Sequence, residues 1–246
     1  MIPAPDPRLI YGRDLMRGGY SMHNRIASPA RSVSIDWTHP LSQGLASYVI
    51  DPSCDLVNNR RMMAYNIYNN GRGVVFKNEN SELRYYPINM GEAFTATIVL
   101  PHMPDTSARP YRTLWSFGRD ATRIYGEVLA KINGNTLEAF FWNGRYIQQF
   151  SDSYGYFSGG GKGMALNIVI RFDPSQKFDG STCGYQMGGA APDGGTPHLD
   201  LATIGCDIRD HNSIDEFVVF VLHNRYLNDA EMHQMARNPY QMLRRM

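Results

Sequence analysis

The sequence predicts an all-β protein: a jelly-roll sandwich of two packed antiparallel sheets, with an extended N-terminal arm and one short C-terminal helix. Three observations carry that expectation. Short runs rich in β-branched and aromatic residues recur along the chain, parted by Gly, Pro, Asn and Asp. Two Asn-Gly turns, Asn133-Gly134 and Asn143-Gly144, separate successive aromatic strands. One capped helix stands against roughly a dozen short strands, with no internal repeat. The expected organisation is an arm over residues 1–36, a sandwich over 37–226, and a helix and tail over 227–246 packed on the sandwich.

The arm opens on alternating Pro3, Pro5 and Pro7 and then scatters arginines among Gly and Ser. Its apolar residues keep no period of 2 or 3.6, so it cannot bury enough surface to fold alone. It reads as a frayed terminus, or as an arm that orders against a partner. In the second case Ile10, Tyr11, Leu15 and Tyr20 supply apolar contacts, while Arg8, Arg13 and Arg17 pair with acidic groups. Fully extended, such an arm spans roughly 100 Å or more. Asp6 and Asp14 dilute its charge and no helix-turn-helix follows, which argues against nucleic acid.

Composition shifts at Trp37, and a first strand is expected over 46–50. Residues 58–70 are polar and irregular, with Met62, Met63 and Tyr65 expected beneath them. Val74–Phe76 and 83–86 read as short strands. Phe94–Leu100 alternates, with Phe94, Ala96, Ile98 and Leu100 on one face and Thr95 and Thr97 on the other, as a half-buried antiparallel strand does. Residues 113–117 follow. Then 127–132 and Thr136–Trp142 flank Asn133-Gly134-Asn135 as a hairpin, and 145–150 completes a meander. The glycine-rich stretch 158–163 reads as a flexible connection to a buried strand over 166–172. A brief strand at 185–187, a flexible loop over 188–197 and a strand over 199–206 lead to the closing stretch.

That stretch, 213–240, is the strongest local signal. Ile214 to Leu222 is a near-continuous apolar run, read as one strand buried on both faces. Asn228 is an N-cap, Glu231 completes a capping box, and Leu227 staples onto Met232. Met232, Met235 and Ala236 share a helical face, and Asn238-Pro239 stops the helix.

Ile214-Asp215-Glu216, then Asn224-Arg225, Leu227, Asp229-Ala230-Glu231 and the Asn238-Pro239 end resemble the closing segment of concanavalin A-like (laminin-G/pentraxin-type) jelly-roll domains. Ser213 stands where the family usually has glycine. The phrase Pro40-Leu41-Ser42-Gln43-Gly44-Leu45 resembles the lead-in to the first strand of phage-type versions; between these ends the resemblance is one of strand order and spacing. Stand-alone domains of this kind are common in bacteriophage virion proteins. The resemblance therefore implies a virion location for a protein made in a host cytoplasm.

Composition narrows the classes. A hydrophobic share of 43% supports a sizeable core, and a formal charge of +1 sets up no global field toward nucleic acid or anionic membrane. No run is long enough to span a bilayer, and the N-terminus lacks the pattern of a secretory signal. Cys54, Cys183 and Cys206 show no Cys-x-x-Cys spacing, so reduced thiols are expected, without a disulfide framework or a zinc site.

Catalytic patterns are not found. Glycoside hydrolysis needs two carboxylates flanking the scissile bond, and the Glu-x-Asp-x-Glu strand of the glucanase branch does not occur. Asp215 and Glu216 are adjacent, so they face opposite sides of a strand. The Gly159–Gly163 run lacks the phosphate-loop spacing, no nucleophile elbow occurs, and each histidine reads as a surface or turn residue. No catalytic residue and no cofactor are expected. Asp207 and Asp210 are the weak candidates for calcium, against the plainer reading of a solvated turn. Trp142, Arg145, Tyr146, Tyr154 and Tyr156 form an aromatic-rich stretch that is a candidate glycan or protein contact, or part of the core.

The functional expectation is a non-enzymatic virion structural protein, a capsid decoration (cement) protein that binds the shell through its arm and sandwich surface. Its partners would be the major capsid or another virion protein and further copies of itself, with neither nucleic acid nor membrane. The alternative is a lectin-like carbohydrate-binding module for adsorption to cell-surface glycans.

Overall fold

The computed structural model describes residues 33–245 outside 54, 60–61, 71–72, 79, 88–89, 103, 105–110, 119–126, 135, 143–146, 153–165, 176, 183–184, 191–196, 198 and 206–212. In chain order the strands are β1 (Val33–Ile35), β2 (Leu45–Val49), β3 (Met63–Tyr65), β4 (Ile67–Asn69), β5 (Val74–Phe76) and β6 (Glu82–Tyr85). Next come β7 (Phe94–Leu100), β8 (Tyr111–Gly118), β9 (Glu127–Asn133), β10 (Thr136–Trp142), β11 (Ile147–Asp152) and β12 (Leu166–Asp173). The last are β13 (Lys177–Thr182), β14 (Tyr185–Ala190), β15 (Leu201–Ile204), β16 (Glu216–Phe217), β17 (Val219–His223) and β18 (Leu243–Arg245). Helix α1 (Asp229–Arg237) lies between β17 and β18.

A seven-stranded sheet runs β11-β10-β9-β8-β15-β6-β3, and a six-stranded sheet runs β14-β13-β12-β7-β17-β2. Smaller ribbons, β16-β5-β4 and β1-β18, complete the set. Neighbouring strands pair antiparallel. This is the all-β architecture the sequence predicts, with one short α-helix among the described residues. The meander forms in register, Asn133 opposite Thr136, with Gly134 at φ +57° supplying the left-handed turn position.

The main core lies between the two large sheets. Phe94 is its hub, with the rings of Trp115, Phe117 and Phe172 centred 5.9, 5.2 and 5.7 Å away. Each such buried phenyl stabilises the fold by roughly 1.5–3 kcal/mol relative to exposure. A second core covers the other face of the six-stranded sheet. There Tyr48, Val99, Val169 and Val221 meet Leu227, Met232 and Met235 of the closing segment, with Val33, Ile35 and Met242 beside them. For this reason β7 is buried along its whole length, on both faces, where the alternation predicts a half-solvated strand.

Two other expectations change. The apolar run 214–222 is not one strand: Phe217 belongs to the main core, Val218 and Val219 both to the second, and Phe220 again to the main core. That break in alternation moves the chain from the ribbon, where β16 pairs with β5, into the six-stranded sheet, where β17 pairs with β7 and β2. Residues 217–222 hold no polar side chain and so carry no phase, which leaves the register change invisible in sequence. Likewise Gly188 to Ala190 continue β14 rather than open a loop, with Ala190 opposite Phe178 of β13 across a register shift.

The closing segment is fastened by ion pairs. The Asn228 side chain accepts from the Glu231 N–H and the Glu231 carboxylate accepts from the Asn228 N–H, each at 3.0 Å. Arg225 forks onto the same carboxylate with two 2.8 Å bonds and donates Nε–H to the Gln43 carbonyl. Beneath the helix start, the fully buried Arg171 forks onto Asp179 at 2.8 and 2.7 Å. It also donates to the Leu227 carbonyl and to Asp229, both at 2.8 Å, and its guanidinium sits 4.4 Å from the centre of the Tyr226 ring.

His223 is buried in the sheet rather than placed at the surface or in a turn, because it is the last residue of β17 and the closing segment covers it. Its Nε2 lies 2.8 Å from the Leu41 carbonyl, so the neutral ring donates there. Burial, with a smaller push from Arg225, lowers its pKa from 6.5 to about 4; the Leu41 contact and Glu231 only partly oppose this. The unfolded chain therefore gains a proton below pH 6.5 that the folded protein refuses. Stability is expected to fall from pH 6.5 to about 4, by up to about 3 kcal/mol. Urea midpoints across that range check this, and His223→Gln should flatten the dependence.

Candidate binding face

The outer face of the seven-stranded sheet is built by simple alternation. In β6, Leu83 and Tyr85 point into the main core, so Glu82, Arg84 and the following Tyr86 fall on the other side. β3 pairs with β6, Met63 opposite Arg84 and Tyr65 opposite Glu82, which places Met63 and Tyr65 on that outer side too. The result is an open aromatic edge: Met63 is 50%, Tyr65 59% and Tyr86 43% exposed.

The sequence predicts Met63 and Tyr65 beneath an irregular segment; the structure buries only Met62. A three-residue strand is too short to show a period, and its pairing with β6 decides which side chains face out. Asn66, at φ 54°, then swings the chain from β3 into β4. Its carbonyl accepts from the Lys77 N–H at 3.0 Å and the Ser81 hydroxyl at 2.9 Å, which fixes that corner. Beyond it Tyr68 is exposed, with Lys77 Nζ 5.6 Å from its ring centre.

The edge differs from the terminal strand of the other sheet. There β2 is sealed by the segment after it: Asp55 accepts the Tyr48 N–H at 2.9 Å, Leu56 N–H donates to the Tyr48 carbonyl, and Asn58 donates to the Ala46 carbonyl.

Along the register the face runs from Met63 and Arg84 through Thr203 and Ser116 to Leu129 and Phe140. The hydroxyls of Ser116 and Thr203 share a buried 2.6 Å hydrogen bond. On the far side Lys131 Nζ sits 4.6 Å from the Tyr111 ring centre and 4.7 Å from that of Phe140. Its charge is met by Glu138 at 3.4 Å, and Asn133 donates to the same carboxylate at 3.1 Å. Arg84 is met by Glu82 at 2.8 Å. Flat rings thus stand beside two ion pairs, and among the described residues Arg84 and Lys131 each carry a carboxylate partner.

Most of the sequence-selected residues lie outside the described residues: Arg8, Ile10, Tyr11, Arg13, Leu15, Arg17 and Tyr20 of the arm, Arg145, Tyr146, Tyr154 and Tyr156 of the aromatic stretch, and the weak calcium candidates Asp207 and Asp210. So do Cys54, Cys183, Cys206 and the stretch 158–163. Trp142 ends β10, registered with Glu127 and Ile147. The residues missed were Tyr65, Tyr86 and the Glu82–Arg84 pair. One signal was present, since consecutive Tyr85 and Tyr86 must face opposite sides of a strand.

Among the described residues there is no group of three or more His, Cys, Asp or Glu placed to hold a metal ion. Among them, too, no helix is long and apolar enough to cross a membrane. Fold and face together define an all-β sandwich of two antiparallel sheets with an aromatic edge open to solvent.

No family model matches the sequence, and no curated protein matches it. Solved structures do. The chain is similar to the binding domain of botulinum neurotoxin serotype D, with a TM-score of 0.63 at 10% identity over 78% of this chain and 50% of that one. It is also similar to the serotype D/C VPI 5993 binding domain, with a TM-score of 0.61 at 12% identity over 80% of this chain and 52% of that one. The neurotoxin DC binding domain in complex with SialylT gives 0.61 at 11% identity over 79% and 51%. The chain thus spans about half the length of these structures. At such identities the likeness is one of fold: the β-sandwich.

Proposed function

We propose that this chain is a non-enzymatic, lectin-like module that binds a cell-surface glycan at the β3–β6 edge of its seven-stranded sheet. The observation that carries the reading is the pair of exposed rings Tyr65 and Tyr86 on one face, with the Glu82–Arg84 pair between them. The C–H face of a pyranose packs on a flat ring, and its hydroxyls need donors and acceptors close by. Binding-domain neighbours, one of them solved with SialylT, support this reading over a decoration role. The concanavalin A-like lineage suggested by the closing segment agrees with it. Glu82 is paired with Arg84 and Glu138 with Lys131.

A glycan array probed with the labelled chain tests the reading. Saturable retention on a defined set of saccharides is expected, and Tyr65→Ala should weaken it roughly tenfold without lowering thermal stability. Retention on none of them, or retention indifferent to Tyr65, would count against it.

A virion setting is the second reading. It rests on the resemblance of the closing segment and of residues 40–45 to domains that are common in bacteriophage virion proteins. In that setting the segment before Val33 clasps a shell protein, and Val33–Ile35, paired with β18 and buried in the second core, root it. Counting copies of the chain in purified particles by mass spectrometry tests it; absence from particles removes it.

A further inference from the structure

Resting on the glycan-binding reading above, we infer that the ligand is an uncharged, linear oligosaccharide lying along β6 from Tyr65 to Tyr86, and that sialylated and sulfated glycans are excluded. Length comes first. Tyr65 stands opposite Glu82, and Tyr86 follows four residues further along. With a rise of about 3.3 Å per residue and about 4.8 Å between strands, the two tyrosines are roughly 14 Å apart at their Cα atoms. A single pyranose cannot touch both rings, whereas several linked in a line can. Met63 and Arg84, paired across the strands at the middle of this path, supply an apolar floor and a donor.

Charge decides the class. Arg84 Nη2 is bonded to Glu82 at 2.8 Å, and Lys131 is held between two rings and met by Glu138 at 3.4 Å. A carboxylate or sulfate docking on this face would meet the charge of Glu82 or Glu138 at close range. Sugar hydroxyls have no such conflict. An ion pair presents an acceptor and a donor side by side, and neighbouring hydroxyls can donate to Glu82 and accept from Arg84 without breaking the bond between them. A whole-chain charge of +1 adds no field to draw in a polyanion.

Titration calorimetry on the full chain tests this. The probes are neutral gluco-, galacto- and N-acetylglucosamine oligosaccharides from one to six units, sialyllactose, and a sulfated heparin hexasaccharide. At least one neutral series should bind and tighten about tenfold or more from monosaccharide to trisaccharide, with the acidic probes at least about tenfold weaker. Tyr65→Ala and Tyr86→Ala should each remove the gain with length while the melting temperature stays put. Glu82→Gln, which frees Arg84, should tighten sialyllactose at least threefold; no gain would overturn the charge argument. Preference for an acidic probe that Tyr65→Ala abolishes would overturn the inference and leave the glycan-binding reading standing. A neutral series that does not tighten with length would do the same. If no saccharide binds, the glycan-binding reading fails and takes the inference with it.

Discussion

Replacing Arg171 by leucine is expected to lower the unfolding free energy by about 3–5 kcal/mol, a drop of roughly 10 °C in melting temperature for a chain of this size. The guanidinium is wholly buried, and burial alone disfavours its charge. Its bonds to Asp179 and Asp229 more than offset this and raise its pKa. Asp229, whose carboxyl is in turn held below its usual range by the Arg171 bond, is the first residue of α1. Among the described residues, leucine would leave the buried Asp179 with only the Tyr226 hydroxyl at 3.1 Å and Lys177 at 3.6 Å. It would also free the Leu227 carbonyl and unfasten α1 from β12 and β13. Arg171→Lys keeps the charge but not the fork and should fall between leucine and the native residue. Urea unfolding reads the effect; a loss under about 1 kcal/mol for leucine would show that the network does not hold the closing segment.

Gly205→Ala is expected to cost about 2–4 kcal/mol. Two penalties add there. Gly205 sits at φ +76°, and a Cβ built on it would lie 2.3 Å from the tip of the Phe76 ring. That ring is itself packed 5.9 Å from Phe217, so it has little room to retreat. Gly134 separates the terms, because it has φ +57° but nothing within 4 Å of an added Cβ. Gly134→Ala should therefore cost only the backbone share, about 1–2 kcal/mol. Equal losses at the two positions would mean that Phe76 yields freely.

The two ends of this contrast show what could be read from the chain. Signals confined to a few neighbouring residues were legible: the Asn228–Glu231 box and the Asn133-Gly134 hairpin formed, and Phe94–Leu100 is a strand, but the burial of its second face depends on the distant closing segment. Features that depend on distant partners were not. Arg171 finds Asp179 eight residues away and Asp229 fifty-eight away, and neither spacing is a pattern. His223 has nothing polar to announce its burial, since its cover comes from Leu41 and α1. The candidate face was missed for the same reason. Tyr65 is exposed because Glu82 lies opposite it, and pairing across a fold leaves no mark on either strand alone. Sequence pointed instead to Trp142 and the stretch beyond it, where consecutive aromatics stand out by composition.

The central claim is that the β3–β6 edge takes a saccharide, and amide chemical-shift mapping of the labelled chain tests it most directly. Titration with a saccharide that the chain retains should move the signals of residues 63–65 and 82–86, with smaller shifts at Ser116, Thr203 and Lys131. Shifts confined to another surface, or none at saturating sugar, would contradict the account.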